Sequence, residues 1–175
     1  MCSRTLIAAV STGFFDALMP PQPRGCDPDP ETSMSPKASM SPDPSMSPEE
    51  LAGILQLDAT GVARLADLLT AMGYLHETCG RYRLTDVSRN TLTRNAPHRL
   101  SNWVEFSGTQ LAAVDNIEEA LRGGGRIDLF AMMDSKDDLL VHQRAMAETA
   151  GPIAGWIASR IPVPPGALIM LDVGG

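Results

Sequence analysis

The chain has 175 residues, 43% apolar and 20% charged, with a net charge of −7. That length suits one good-sized domain or two small ones, and the composition is that of a globular protein able to bury a core. The acidic balance opposes a phosphate-binding role, because nucleic-acid affinity rests mainly on Lys and Arg releasing counterions. Cys2, Cys26 and Cys79 are far apart, without C-x-x-C or Cys/His spacing, so reduced thiols are expected and no metal site is.

Leu6, Val10, Phe14 and Leu18 recur every four residues with Ile7 beside them, which predicts an amphipathic helix within residues 1–19. A signal-peptide reading of Arg4 followed by Leu6 to Val10 competes with it. Asp16 interrupts the apolar run, and no stretch reaches the ~18 residues a bilayer span needs. The expected location is the cytoplasm, with no membrane partner.

Residues 20–48 change character: Pro, Asp, Ser and Met dominate without periodicity, so a disordered insert is expected. Within it Ser-Met-Ser-Pro occurs at Ser33 to Pro36, Ser39 to Pro42 and Ser45 to Pro48, a strict six-residue repeat. Each unit carries a proline that removes a backbone donor and disfavours helix before it, so the tract reads as a tandem duplication. Proline-directed phosphorylation is the functional alternative, and serine-proline pairs alone are weak evidence for it.

Residues 49–95 read as a winged helix. Ser47 is a cap, Pro48 the first helical position, and Glu49-Glu50 lie in the positive first turn. Leu51, Ile54 and Leu55 then form one face. After Leu57, Asp58 or Thr60 caps a second helix with Val62, Leu65, Ala66, Leu69 and Met72 on one stripe, ended by Gly73. Tyr74 to Glu77 and Arg81 to Leu84 are strand candidates joined by Thr78-Cys79-Gly80.

Residues 96–161 carry longer periodicities. From Asn102, the positions Trp103, Phe106, Gln110 or Leu111, Val114, Ile117 and Leu121 predict a helix of about five turns, closed by Gly123-Gly124-Gly125. A second helix is predicted from Asp137 to about Ile161, with Pro152 kinking or dividing it. Residues 162–175 comprise a stiff Pro162 to Gly166 linker, a buried-type strand from Ala167 to Val173, and the glycine pair Gly174-Gly175.

An apolar strand running into an acidic residue and glycines is how a nucleotide-type cofactor site begins. With Phe15-Asp16-Ala17-Leu18, Ser47-Pro48-Glu49-Glu50-Leu51-Ala52, Leu69 to Leu75, Gly80-Arg81-Tyr82-Arg83-Leu84-Thr85 and Glu119 to Gly124, this order resembles the N-terminal part of small-molecule O-methyltransferases. Those are the caffeate-type and bacterial natural-product enzymes with a winged-helix dimerisation domain. The fold class so implied is mainly α: a winged-helix-like dimerisation domain plus long helices, ending in the first strand of a Rossmann-like α/β domain whose remainder is missing. The roughly 25 extra residues ahead of Ser47 depart from the family pattern.

The resemblance implies S-adenosylmethionine as methyl donor and a hydroxyl of an aromatic or polyketide-like small molecule as acceptor. It also implies a homodimer through the N-terminal helix and the winged-helix region. Asp172, Gly174 and Gly175 resemble the opening of the donor-binding loop, where a glycine permits close backbone approach. Met146, with its polarizable thioether, His142 and Trp103 fall where the family lines its acceptor pocket. No catalytic residue is assigned: His76 lies in the hairpin, His98 in a loop and His142 on a helix, and none suits the general base. The chain is read as a truncated fragment, expected to be catalytically silent and to bind no donor by itself.

Two other functions compete. A DNA-binding regulator would place the helix from Ala59 to Met72 in the major groove, but it offers only Arg64 against Asp67 and Asp58; Arg81 and Arg83 sit on the wing. No nucleic-acid partner is expected. A stand-alone dimerisation module is opposed by the final strand, which has no partner for its backbone groups.

Overall fold

The computed structural model describes residues 4–20, 44–125, 127–133 and 135–162, together with Gly166, Ile169 and Leu171. The order is α1 Arg4–Ser11, α2 Phe14–Ala17, α3 Pro48–Leu55, α4 Ala59–Ala71, β1 Leu75–Thr78, β2 Arg81–Leu84, α5 Asp86–Thr91, α6 Ser101–Asp115, α7 Ile117–Gly123 and α8 Lys136–Ala158. The protein is mainly α, with an antiparallel hairpin as its sheet among the described residues.

The predicted N-terminal helix is two helices. Gly13 takes φ 75°, a left-handed conformation that ends α1 and starts α2 at a new angle. The bend lets Leu6 and Ala9 from α1, and Phe14, Phe15 and Leu18 from beyond it, reach one core with Leu51, Val62, Ala66, Leu69, Leu75 and Val104. Phe15 packs edge-on against both Phe14 (6.2 Å) and Tyr74 (6.4 Å). The apolar face of α1 and α2 is thus buried inside its own chain.

α3 and α4 start as their sequences dictate. Ser47 forms a capping box with Glu50, Pro48 follows, and Asp58 rather than Thr60 caps α4 by accepting from the Gly61 amide. The α3 face is narrower than expected, since Leu51 and Ala52 are buried whereas Ile54 is exposed. On α4, Val62, Ala66 and Leu69 are buried, while Met72 at the C-cap lies outside the core.

The hairpin is tighter than its sequence suggested. Leu75 pairs with Leu84 and Thr78 with Arg81, leaving a two-residue turn. Cys79 (φ 53°) and Gly80 (φ 73°) are both left-handed, as a type I′ turn requires. Met46 adds a bridge on the far side of β2: its amide donates to the Tyr82 carbonyl at 3.0 Å, and the Tyr82 amide donates back at 2.8 Å. The Tyr82 hydroxyl donates to Asp67 on α4 at 2.7 Å, tying hairpin to helix. The expected insert over residues 20–48 therefore ends in an ordered anchor at Ser45, Met46 and Ser47; positions 21–43 lie outside the described residues.

The helix expected from Asn102 to Leu121 divides at Asn116, whose side-chain amide donates to the Ala112 carbonyl at 3.1 Å and competes with the helical ladder. Gly108 lets α1 approach α6 closely, because a Cβ there would stand 3.4 Å from Ile7 Cγ2. α8 begins with a Ser135/Asp138 capping box and continues through Pro152 without dividing. Its first half packs on α6, whereas from Gly151 to Ala158 every residue is exposed. Of the predicted strand from Ala167 to Val173, only Ile169 and Leu171 are described. They are 92% and 83% exposed and lie in no strand.

Candidate functional site

Two of the three predicted acceptor-lining residues come together. Trp103 on α6 stands 6.1 Å from Phe106, one turn later, and the Phe106 ring lies 4.8 Å from the His142 imidazole on α8. Phe130, from the segment between α7 and α8, meets the His142 ring edge-on at 5.7 Å. Met133 and Ala145 complete the cluster. Met146, one turn beyond His142, is 36% exposed and outside it. Asp172, Gly174 and Gly175 lie outside the described residues.

His142 is chemically unusual. Its Nδ1 atom is buried and has no hydrogen-bond partner. Desolvating a polar nitrogen among aromatic rings without a partner costs about 1–3 kcal/mol. A nitrogen so placed can accept from, or donate to, a polar group brought to it.

Behind the cluster, Glu148 locks α8 to the start of α6. Its carboxylate, 9% exposed, accepts from the Trp103 amide at 3.0 Å and the Asn102 side chain at 2.5 Å, and pairs with Arg99 Nε at 3.0 Å. Leu100, the N-cap of α6, has no side-chain acceptor, so a carboxylate on another helix takes over the cap. Phe130, Met133 and Glu148 escaped the sequence reading. No capping signal pointed to Glu148, because Ser101 just ahead of Asn102 reads as an ordinary cap, whereas it is the first helical residue and Leu100 is the N-cap.

Two clefts flank this region. A polar groove of about 480 Å³ includes Asp16, Arg94, Arg99, Glu105 and Arg144, opposed charges that leave no strong field. A more apolar cleft of about 770 Å³ runs between Pro97 and Leu100 on one side and Ala147 to Pro152 on the other. Among the described residues no group of His, Cys, Asp and Glu could hold a metal, and no helix is long and apolar enough to cross a membrane.

Arg81 is held by the Ser45 carbonyl at 2.7 Å and Glu50 at 2.9 Å. Asp67, hydrogen-bonded to Tyr82, pushes the Tyr82 hydroxyl pKa up to about 12. On Glu50, the Ser47 amide followed by Arg81 holds the carboxyl below its usual range.

Residues 38–94 match the model of the O-methyltransferase dimerisation domain. Among solved structures, the chain is similar to an O-methyltransferase family protein from Burkholderia thailandensis (18% identity, TM-score 0.64), covering 90% of this chain and 41% of that one. It is similar to human N-acetylserotonin methyltransferase in complex with S-adenosylmethionine (18%, TM-score 0.65), covering 90% and 44%. It is also similar to a putative O-methyltransferase from Nostoc punctiforme (21%, TM-score 0.62), covering 91% and 42%. The chain spans less than half the length of each of these structures, and no curated protein matches it in sequence. The chain thus has the fold seen in the N-terminal part of these methyltransferases, with residues 38–94 similar to the O-methyltransferase dimerisation domain.

Proposed function

We propose that the chain is the dimerisation and acceptor-side region of a methyltransferase that transfers a methyl group from S-adenosylmethionine to a hydroxyl of a small aromatic or polyketide-like molecule. The observation that carries the reading is the agreement of α1 to α8, over about nine-tenths of the chain, with methyltransferases solved by crystallography, one of them holding S-adenosylmethionine. Trp103 and His142, two of the residues that the resemblance places at the acceptor pocket, come together around the buried Phe106 ring. Met146 lies one turn on along α8 and is 36% exposed.

Nothing among the described residues fits the donor. They contain no strand leading through glycines into a helix, the arrangement that seats a nucleotide-type cofactor. The domain limits follow the sequence reading, with residues 49–95 as a winged-helix-like unit, 96–161 as linking helices and the donor loop opening at Asp172, Gly174 and Gly175. The chain works as a homodimer. Because α1 and α2 bury their apolar face internally, the contact between copies uses their outer face and the helix–helix–hairpin surface.

A calorimetric titration tests the donor statement: the 175-residue chain shows no heat with S-adenosylmethionine, and micromolar binding overturns it. Light scattering behind a sizing column tests the dimer, for which a monomer at 100 µM counts as refutation. A mobility shift of duplex DNA at low salt would instead favour the regulator reading.

A further inference from the structure

The Ser-Met-Ser-Pro repeat is left without a role by the methyltransferase reading, yet its last unit is built into the fold residue by residue. Ser45 meets Arg81 through its carbonyl (2.7 Å) and its Oγ (3.3 Å). Met46 exchanges both backbone hydrogen bonds with Tyr82. Ser47 caps α3 by accepting from the Glu50 amide, while the Glu50 carboxylate accepts from the Ser47 amide at 2.8 Å and reaches Arg81. Pro48 occupies the first helical position, where a missing amide hydrogen costs nothing. All four residues of the unit are used, and the remaining contacts come from Glu49 and Glu50, just after it.

The two preceding units have the same four residues at a six-residue spacing. Removing residues 43–48 joins Ser39-Met40-Ser41-Pro42 directly to Glu49, and removing residues 37–48 joins Ser33-Met34-Ser35-Pro36 to it. Either contraction regenerates the sequence that the slot holds. Insertion of whole units does the same. The anchor's hydrogen bonds run from Ser45 to Glu50 and do not involve Pro44, so the residue ahead of the unit is free to change.

We propose that β2 and the start of α3 form a slot for one Ser-Met-Ser-Pro unit, and that the repeat is a length-variable connection. Whichever unit abuts Glu49 fills the slot, so the α2 to α3 connection gains or loses six-residue steps while the helix–helix–hairpin unit stays intact. The occupant after one contraction is Ser39 to Pro42. Physical economy favours this device: shortening a connection by half changes its closure free energy only slightly, whereas losing a cap and a bridge does not.

The test compares melting temperatures and far-ultraviolet circular dichroism of the full chain with those of chains lacking residues 43–48 or 37–48. Each contracted chain is expected to keep its helix content and to melt within about 3 °C of the parent. Sensitivity should also move along the sequence. In the parent, Ser47→Ala lowers the melting temperature by about 3 °C and Ser41→Ala leaves it unchanged; in the chain lacking residues 43–48, Ser41→Ala produces the fall. A contracted chain that unfolds or melts further below the parent overturns the proposal, as does a Ser41→Ala change without effect in the shortened chain.

Discussion

Glu148→Ala is the perturbation that most directly probes how α8 is fastened to the rest of the protein. The carboxylate is 9% exposed and takes hydrogen bonds from Trp103, Asn102 and Arg99. Losing the acceptor for the first turn of α6 costs about 1 kcal/mol, as for a missing N-cap. Arg99 loses its charged partner but keeps Ser101 Oγ (2.9 Å) and the Arg94 carbonyl (3.2 Å), and its side chain is about one-third exposed, so about 1–2 kcal/mol more is assigned. The total of about 2–3 kcal/mol corresponds to a fall in melting temperature of roughly 6–10 °C for a chain of this size. Glu148→Gln keeps an acceptor for the Trp103 amide while removing the charge, and should lose about half as much. Urea unfolding followed by circular dichroism, with Arg99→Ala and the double mutant completing a cycle, measures the pair itself. A Glu148→Ala chain that melts within 1 °C of the parent refutes the reasoning.

Other outcomes follow from the same geometry. His142→Phe removes the orphaned Nδ1 while keeping a ring against Phe106, so it should raise stability by about 1 kcal/mol; a loss in urea unfolding would contradict this. Tyr82 has its folded pKa raised to about 12 from 10.0, so the Asp67 bond stabilises fully below pH 10 and is lost as pH rises toward 12. A Tyr82→Phe chain should therefore melt lower at pH 8 yet lose less than the parent between pH 10 and 12; parallel curves would refute it. Glu49 and Glu50 have lowered pKa values, through the Ser47 side chain and the Ser47 amide respectively. Their capping is present above their unfolded value of 4.5 and fades as pH falls through the lower folded values, a trend that Glu50→Gln should flatten in an acid titration. Gly13→Ala meets no atom within 4 Å but must hold φ 75°, so about 1 kcal/mol of backbone strain is the expected loss in melting studies.

Local chemistry made much of this fold readable. Ser47-Pro48-Glu49-Glu50 and Asp58 are strong start signals, and both helices begin where those residues stand. Hairpin position was legible to within one residue, since Gly80 marks the turn, but the two-residue loop also uses Cys79 in a left-handed conformation that cysteine does not announce. The breaks at Gly13 and Asn116 were missed for one reason. Apolar periodicity continues across both, and it masks the left-handed turn at Gly13 and the Asn116 side-chain bond to the Ala112 carbonyl. At the site, Trp103 and His142 were placed by resemblance and meet around Phe106. Phe130 and Met133 come from a segment without periodicity, and Glu148 acts on a helix 45 residues away in sequence from Trp103. Such long-range pairing leaves no mark in a window of neighbouring residues.

Pro152 has one further consequence. Lacking an amide hydrogen, it leaves the backbone carbonyl one turn earlier without a helical donor, and that carbonyl belongs to Glu148. The residue that bolts α8 to α6 through its side chain is therefore also where the helix is easiest to bend. Any swing of the bare half from Gly151 to Ala158, carrying Ile153, Trp156 and Ile157, pivots about a fixed bearing rather than along the whole rod. A hinge seated on an anchored point transmits direction cleanly. A bend there leaves the Glu148 contacts to the start of α6 in place while the exposed half of α8 changes direction.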